Sequence, residues 1–351
     1  MSWTDLGIAA AERGLVPDPV LRSVIRRLCR RRLRDCERDS LRRDGVPSFL
    51  PALRTGPIAL VPERANEQHY EIPPAFFEAV LGPRRKYSCC LFRTPSATLA
   101  EAEDAALEET ARNADLSDGQ QVLELGCGWG SLSLWMAERY PQSRITAVSN
   151  SAPQRQFIEA QAQQRGFTNL TVVTADMNTF DPANASTVPT EFDRVVSVEM
   201  FEHMRNYDRL LERIARWLAP DGRLFVHVFC HRDHLYPFEE ADPSDWMARH
   251  FFSGGLMPSR DLFRWFDNRF TVEAQADWNG THYERTSNAW LANLDARRQE
   301  VEQILTKTYV PADAARWLHR WRMFFLAVAE LFGLAGGNEW CVTQCRLRPV
   351  R

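Results

Sequence analysis

The sequence predicts an α/β fold built on a mostly parallel sheet, and three observations carry that expectation. Short apolar runs alternate with helical stretches from about Asp118 onward, one run empties into glycines at alternate positions, and the 351-residue chain is long enough to bury the resulting core. Strands separated by helical segments imply parallel pairing with right-handed crossovers. The 44% hydrophobic and 25% charged fractions are those of an ordinary globular protein, which sets aside disordered and fibrous classes. A formal net charge of −3 gives no bulk argument for a nucleic-acid partner.

Before the alternation lies an N-terminal extension, residues 1–65. About ten arginines crowd between Arg22 and Arg43, while Leu21, Val24, Ile25, Leu28, Leu33 and Leu41 recur near helical spacing. This pattern predicts an amphipathic helix packed as a cap with a solvated basic face; contact with anionic lipid or an acidic substrate is the sharper alternative. A linker punctuated by prolines follows. Residues 66–351 then form the main domain. Its expected elements are a strand at Gln121–Leu125, a glycine-rich turn, a helix from Ser131 to about Tyr140, a strand at Arg144–Val148 and a helix around Gln154–Arg165. Strands at Leu170–Thr174, Arg194–Val198 and Arg223–Phe229 follow. Residues from about His231 to Ala296 lose periodicity and are rich in Trp, Phe, Asp and Pro. They read as an insertion over the sheet's carboxyl edge, where α/β folds bind ligands. A helix at Ala314–Leu331 and a strand at Glu339–Arg346 complete the sheet.

No apolar stretch reaches the length of a membrane span; Met323 to Ala335 is too short and contains Glu330, so it predicts a buried helix. Polar and acidic residues stand where a signal peptide needs an apolar run. Cys29, Cys36, Cys89, Cys90, Cys127, Cys230, Cys341 and Cys345 show neither metal-ligand spacing nor a dense framework. They predict reduced thiols in a cytoplasmic protein.

The chemistry concentrates after the first strand of the alternation. Val122-Leu123-Glu124-Leu125 runs directly into Gly126-Cys127-Gly128-Trp129-Gly130, whose glycines permit tight turning and close approach of a ligand to backbone. A bare Gly-x-Gly-x-Gly also suits dinucleotides. Two features shift the balance. Glu124 interrupts a strand expected to be buried, and the second strand ends in Ser149-Asn150-Ser151, without the carboxylate that an NAD ribose wants. Asp176 follows the third strand, where an acid can face a ligand or simply cap a turn.

This segment resembles the class I methyltransferases, which bind S-adenosyl-L-methionine on a Rossmann-like, mostly parallel seven-stranded sheet. The resemblance implies that Glu124 accompanies the loop holding the methionine part of that cofactor, and that Asp176 lies near its adenine. More narrowly, His69-Tyr70-Glu71, Tyr87-Ser88-Cys89, Thr146-Ala147-Val148-Ser149 with Gln154, and Glu199-Met200-Phe201-Glu202-His203 resemble the cyclopropane-fatty-acid synthase superfamily. Within it the chain is similar to the coclaurine-type N-methyltransferases, which methylate tetrahydroisoquinoline amines. That likeness rests on Gly14-Leu15-Val16-Pro17-Asp18, Tyr87-Ser88-Cys89-Cys90, Phe157-Ile158-Glu159, Glu202-His203-Met204-Arg205-Asn206-Tyr207, and Trp321-Arg322-Met323-Phe324-Phe325 running to Glu339-Trp340. It implies a small-molecule amine substrate and cofactor contacts from Tyr87, Ser88, Gly126, Gly128, Gln154 and Asp176; the sequence leaves a homodimer open.

Proton handling separates the candidate reactions. An amine arrives mostly protonated at neutral pH, and a carboxylate or imidazole must bind the cation and take its proton. Glu199, Glu202 and His203, at i, i+3 and i+4 after the fourth strand, would share one face if a helix starts there. The resemblance places the acid-base role on Glu199 and His203, with Glu202 nearby. An alkene acceptor instead needs a base to strip a proton from the new methyl group; members of the synthase branch hold bicarbonate for this with a Cys, a Glu, a His and a Tyr. The matching positions are Cys89, Glu202 and His227, but the tyrosine position aligns with Phe325, which has no hydroxyl. Losing one polar ligand from a small buried anion site costs about 1–3 kcal/mol. His227 points the other way, since the N-methyltransferases carry a Glu there. The aromatics Tyr236, Phe238, Trp246, Phe251, Phe252, Trp278, Tyr283 and Trp290 suit either a cation-attracting wall or ordinary core packing. His231 and His234, three apart, are weak evidence for a metal, and methyl transfer needs none.

Overall fold

A computed structural model describes residues 3–40, 46–60, 72–242 and 245–351. His69-Tyr70-Glu71, and Leu41 with Arg42 and Arg43, lie outside the described residues. Nine strands and eleven α-helices form among those described. The strands are β1 (Gln121–Leu125), β2 (Arg144–Ser149), β3 (Leu170–Thr174), β4 (Phe192–Val198), β5 (Leu218–His231), β6 (Tyr236–Pro237), β7 (Leu256–Met257), β8 (Phe270–Trp278) and β9 (Trp340–Pro349). The helices are α1 (Trp3–Ala11), α2 (Asp18–Ser40), α3 (Pro74–Val80), α4 (Leu99–Asn113), α5 (Ser131–Arg139) and α6 (Ala152–Arg165). They continue with α7 (Tyr207–Trp217), α8 (Trp246–Phe251), α9 (Thr281–Ala296), α10 (Arg298–Thr308) and α11 (Pro311–Phe332).

The seven-stranded sheet runs in the order β3-β2-β1-β4-β5-β9-β8. Pairing is parallel from β3 to β5 and antiparallel where β9 meets β5 and β8. The near-continuous apolar strands follow from burial on both faces. In β1, Leu123 and Leu125 pack into one core while Val122 faces the opposite one; in β4, Val195 and Val196 divide the same way. Helix boundaries are set locally. Thr98 opens α4 with a capping box on Glu101, Ser151 accepts from the Gln154 amide at the start of α6, and Gly166 ends α6 with φ 70°.

Two local expectations change. Residues 270–278, within the stretch expected to cover the sheet, are β8, an edge strand of the sheet itself. Its outward Thr271, Glu273 and Ala274 face solvent, and that half-exposed polarity masked the strand signal. The segment after β4 is not an α-helix but a single 3-10 turn, Phe201–His203, so Glu199, Glu202 and His203 do not share a helix face. Glu199 takes φ 49°, which breaks the chain direction before any helix can start.

Helix α2 docks on α11 through charge. Glu330 of α11, largely buried, accepts from Arg22 at 2.7 Å and from Arg26 at 2.6 Å, and Arg22 also reaches Asn288 of α9. Arg322 returns the contact by pairing with both Asp18 and Asp295. Glu12, at the end of α1, takes Arg320 and the indole N–H of Trp246. Part of the basic extension is therefore neutralised by the body of the protein. Removing Glu330 strands two guanidinium groups against a buried surface. Glu330→Ala should lower stability by about 1–3 kcal/mol in urea denaturation and speed proteolytic cleavage within residues 3–40. An unchanged midpoint and cleavage rate would show that the docking does not depend on this pair.

Candidate active site

The carboxyl ends of β1, β2 and β4 open on a cleft lined by Gly126, Gly128, Val148, Ser149, Asn150, Gln154, Ala175, Asp176, Met177, Met200, His203, Met204 and Ser253. Ala59 closes it from the N-terminal linker, held at both its N–H and its carbonyl by the Asn178 side chain at 3.0 Å. The glycine loop turns with φ of 79°, 52° and 77° at Gly126, Gly128 and Gly130. A Cβ at Gly126 would strike Met200 and one at Gly130 would strike Ile158, each at 2.6 Å, whereas one at Gly128 would meet nothing within 4 Å. Gly128 thus presents bare backbone to the open cleft.

Polar atoms there lack protein partners. Gln154 is buried with its Oε1 accepting from the Ser149 hydroxyl at 2.7 Å, while its Nε2 has no partner among the described residues. The Ser131 hydroxyl at the start of α5, which is not among the lining residues, is likewise buried and unpartnered among the described residues. Asp176 lines the cleft and also caps its own turn, accepting from the Asn178 amide at 2.8 Å. Bare backbone, orphaned donors and a carboxylate suit a polar ligand with a ribose and an amino-acid end.

Glu124 stands apart from the lining residues. It is buried in β1 beneath the loop, where the Ser133 hydroxyl donates to its carboxylate. Burial pushes its pKa up to about 8, against the pull of Ser133. Tyr87 and Ser88 are also not among the lining residues. Tyr87 packs against Phe77, Trp290 and Trp321, and Ser88 is buried beneath them, accepting from the Lys86 ammonium.

Next to the cleft lies a second constellation, centred on Glu199. Its carboxylate accepts from the Tyr283 hydroxyl at 2.6 Å and from the Cys89 amide at 2.9 Å, and His227 Nε2 lies 3.4 Å away. The other nitrogen of His227 faces the Gln344 side-chain amide at 2.9 Å. Burial raises the Glu199 carboxyl, but the nearby His227 imidazole, the Lys86 charge and the Tyr283 hydroxyl hold it below the usual carboxylate range. Burial pushes His227 below the usual histidine range despite Glu199, so the pair rests as carboxylate and neutral imidazole. Glu202 behaves oppositely. It is buried, neither oxygen bonds another described residue, and burial followed by the Glu199 charge raises it well above the carboxylate range. The two carboxyls are thereby driven apart in proton affinity.

A relay of aromatic contacts joins cleft to cluster. His203 stacks on Phe252 at 5.8 Å, Phe252 meets Phe229, Phe229 meets Phe332, and Phe332 stacks on Tyr283 at 4.5 Å. The structure therefore brings Glu199, His227 and Cys89 together and sets His203 on the cleft side. Phe325 is buried in α11 among Trp290, Trp321 and Phe324. Lys86 and Gln344 carry no signal in the sequence, and Tyr283 stood out only as one aromatic among many. Each reaches the site through long-range folding alone.

Sheet order, glycine loop and cleft define a class I methyltransferase that uses S-adenosyl-L-methionine. The family model for mycolic acid cyclopropane synthetase matches residues 61–333. Among curated relatives, (S)-coclaurine N-methyltransferase of Thalictrum flavum subsp. glaucum is 37% identical, covering 95% of this chain and 92% of its own. That of Papaver somniferum is 33% identical, covering 95% of each chain. A solved coclaurine N-methyltransferase bound to N-methylheliamine and SAH superposes with a TM-score of 0.90 at 34% identity, covering 97% of this chain and 98% of that one. The chain belongs to the mycolic acid cyclopropane synthetase family, on its small-molecule N-methyltransferase branch.

Two outcomes check this geometry. Gly128→Val should fold yet lose S-adenosylmethionine binding by at least about tenfold in calorimetry, because its side chain fills the cleft and strains a positive φ; undiminished affinity would move the cofactor elsewhere. Glu124 has a folded pKa of about 8 against about 4.3 unfolded. Its contribution is full below the lower value and is lost as pH rises through the upper one, by up to about 1.4 kcal/mol per pH unit. Glu124→Gln cannot ionise, so the stability difference between variant and wild type should grow in favour of the variant from about pH 5 to 8. Parallel curves in chemical denaturation of the cofactor-free proteins would contradict it.

Proposed function

We propose that this chain methylates the nitrogen of a small-molecule amine of tetrahydroisoquinoline type, with Glu199 binding the ammonium and accepting its proton. The observation that carries this reading is the buried Glu199 carboxylate, held by Tyr283 and Cys89 at the end of an aromatic relay that starts in the cleft. When bound, S-adenosyl-L-methionine supplies an electrophilic methyl carbon on a sulfonium. Gly126, Gly128, Gln154 and Asp176 would hold it, Glu124 would support the loop from beneath, and Tyr87 and Ser88 would brace the wall beside it. The protein's part is then positioning and deprotonation. The ionised Glu199 draws the ammonium into an apolar, aromatic enclosure, and the aromatic faces add cation–π attraction. As the proton leaves nitrogen for Glu199, the His227 imidazole, 3.4 Å from that carboxylate, stands beside it. Glu202, held protonated by burial, adds no second negative charge that would pin the ammonium too tightly. His203 closes the cleft side of the acceptor.

His227 and the Cys89 and Glu202 positions favour a second reading, cyclopropanation of unsaturated acyl chains with bicarbonate as the base. Phe325 opposes it, since it offers only a ring where that reading wants a hydroxyl. Wild-type enzyme given unsaturated phospholipid should yield no cyclopropane product by mass spectrometry.

Finer placement is also proposed. The described residues of 1–65 belong to an extension docked on a catalytic body, with those of 231–269 and 279–296 covering the acceptor. Among the described residues no helix is long and apolar enough to cross a membrane. Yet Val20, Val24 and Leu28 stand exposed on α2 beside Arg27, Arg30 and Arg34, which supports peripheral contact with anionic lipid. Vesicle flotation tests it, sedimentation tests a homodimer, and the absence of metal-ligand spacing or a dense framework among the eight cysteines supports a cytoplasmic setting.

Labelled-cofactor turnover on tetrahydroisoquinoline checks the main reading. Glu199→Gln should cut kcat by about a hundredfold or more while cofactor affinity stays within a factor of a few. Near-normal turnover would remove Glu199 from the chemistry.

A further inference from the structure

Lys86 is only 3% exposed, yet among the described residues no carboxylate lies within 4.0 Å of its ammonium. Its partners are two neutral oxygens, the Ser88 hydroxyl at 2.5 Å and the Cys89 carbonyl at 2.6 Å. A buried ammonium without a direct counter-ion is costly to keep. Its surroundings are built to keep it. Glu103 of α4, itself fully buried, accepts from the backbone amides of both Arg84 and Lys86, fixing the loop that carries the lysine. Gly82 makes room for that carboxylate, since a Cβ there would strike it at 2.5 Å. From the lysine the contacts run on without a gap: Lys86 to the Cys89 carbonyl, and the Cys89 amide to Glu199.

We propose that Lys86 is a positioning residue for the methyl-transfer site, clamping the Ser88-Cys89 backbone so that the Cys89 amide meets Glu199 and setting a fixed positive charge behind that carboxylate. The inference rests on the reading that Glu199 takes the amine proton. It explains why the loop holds a cation where a neutral side chain could make the same hydrogen bonds. Glu199 is faced by Lys86 and Cys89 from this loop, His227 from β5, Tyr283 from α9 and Glu202 from its own turn. Of these, Lys86 alone keeps a positive charge when His227 is neutral. A carboxylate with that charge behind it stays ionised while buried, and ionised is the form that attracts an ammonium. Lys86 also lowers the proton affinity of His227, so the same charge favours the carboxylate–imidazole arrangement over its reverse.

The test compares Lys86→Met, Lys86→Gln and Lys86→Arg with wild type, using tetrahydroisoquinoline and S-adenosylmethionine across pH. Loss of the charge lets Glu199 hold its proton to higher pH. The acid limb of kcat/KM should therefore move up by about one unit or more in K86M and K86Q. At pH 7 kcat should fall about tenfold, with cofactor affinity unchanged, and K86R should recover part of the loss. K86Q keeps a hydrogen-bond donor, so it gives the same reading if K86M does not fold. Each change is repeated in the Glu199→Gln background, where it should cost less than about twofold, because the group it acts through is gone. An unmoved acid limb in K86M and K86Q, or an equal loss with and without Glu199, overturns the role of Lys86. If E199Q itself turns over normally, the assignment of Glu199 fails, whatever Lys86 does.

Discussion

A single buried carboxylate organises this molecule. Glu199 leaves β4 with a left-handed backbone, a conformation that costs a non-glycine residue about 1–3 kcal/mol and persists only where the surroundings over-determine it. They do so here from four directions. The Tyr283 hydroxyl comes from α9, the Cys89 amide from the loop before α4, the His227 imidazole from β5, and the Glu199 amide itself is held by the His227 carbonyl at 2.8 Å. An unpaired carboxylate in that place would protonate or unfold its surroundings. The elements that satisfy it are therefore tied to one another through it.

That arrangement places a negative charge at a chosen spot and denies it to a neighbour. Glu199 and Glu202 are three residues apart and both buried, yet one has donors on both oxygens and the other has none among the described residues. Low dielectric magnifies the difference, because a carboxylate with hydrogen bonds is favoured charged and one without is favoured neutral. The contrast comes from backbone direction. With a positive φ, Glu199 reaches Tyr283 of α9 and the Cys89 amide, while Glu202, on the 3-10 turn, hydrogen-bonds neither.

The N-terminal extension belongs to the same economy of charge. Its arginines would repel one another on an isolated helix, and Glu330 of α11 takes Arg22 and Arg26, while Asp18 of the extension pairs with Arg322 of α11, which also holds Asp295 of α9. Helix α9 also carries Tyr283, and α11 carries Phe332, which stacks on it. Docking of the extension and the geometry around Glu199 therefore meet on the same two helices. Ala59, clasped by Asn178 and lining the cleft, ties the linker to the cofactor side as well.

Much of this was legible in the residues. The five parallel strands and the glycine loop with Gly126 and Gly128 follow from local rules, apolar runs where both faces are buried and glycine where φ turns positive, while Gln154, Asp176 and His203 are carried by family likeness. Family likeness added Glu199, Glu202 and His227 as a group. Only tertiary structure decided how that group divides. Lys86, Cys89, Glu199, His227, Tyr283 and Gln344 are spread over more than 250 positions of the chain, and no spacing rule links them. Edge strand β8 escaped for the opposite reason, since an exposed face carries no periodic apolar signal. A sequence determines by itself what neighbours a few residues apart impose on one another. Which buried carboxyl is charged depends on donors arriving from distant elements, and that only the folded chain can decide.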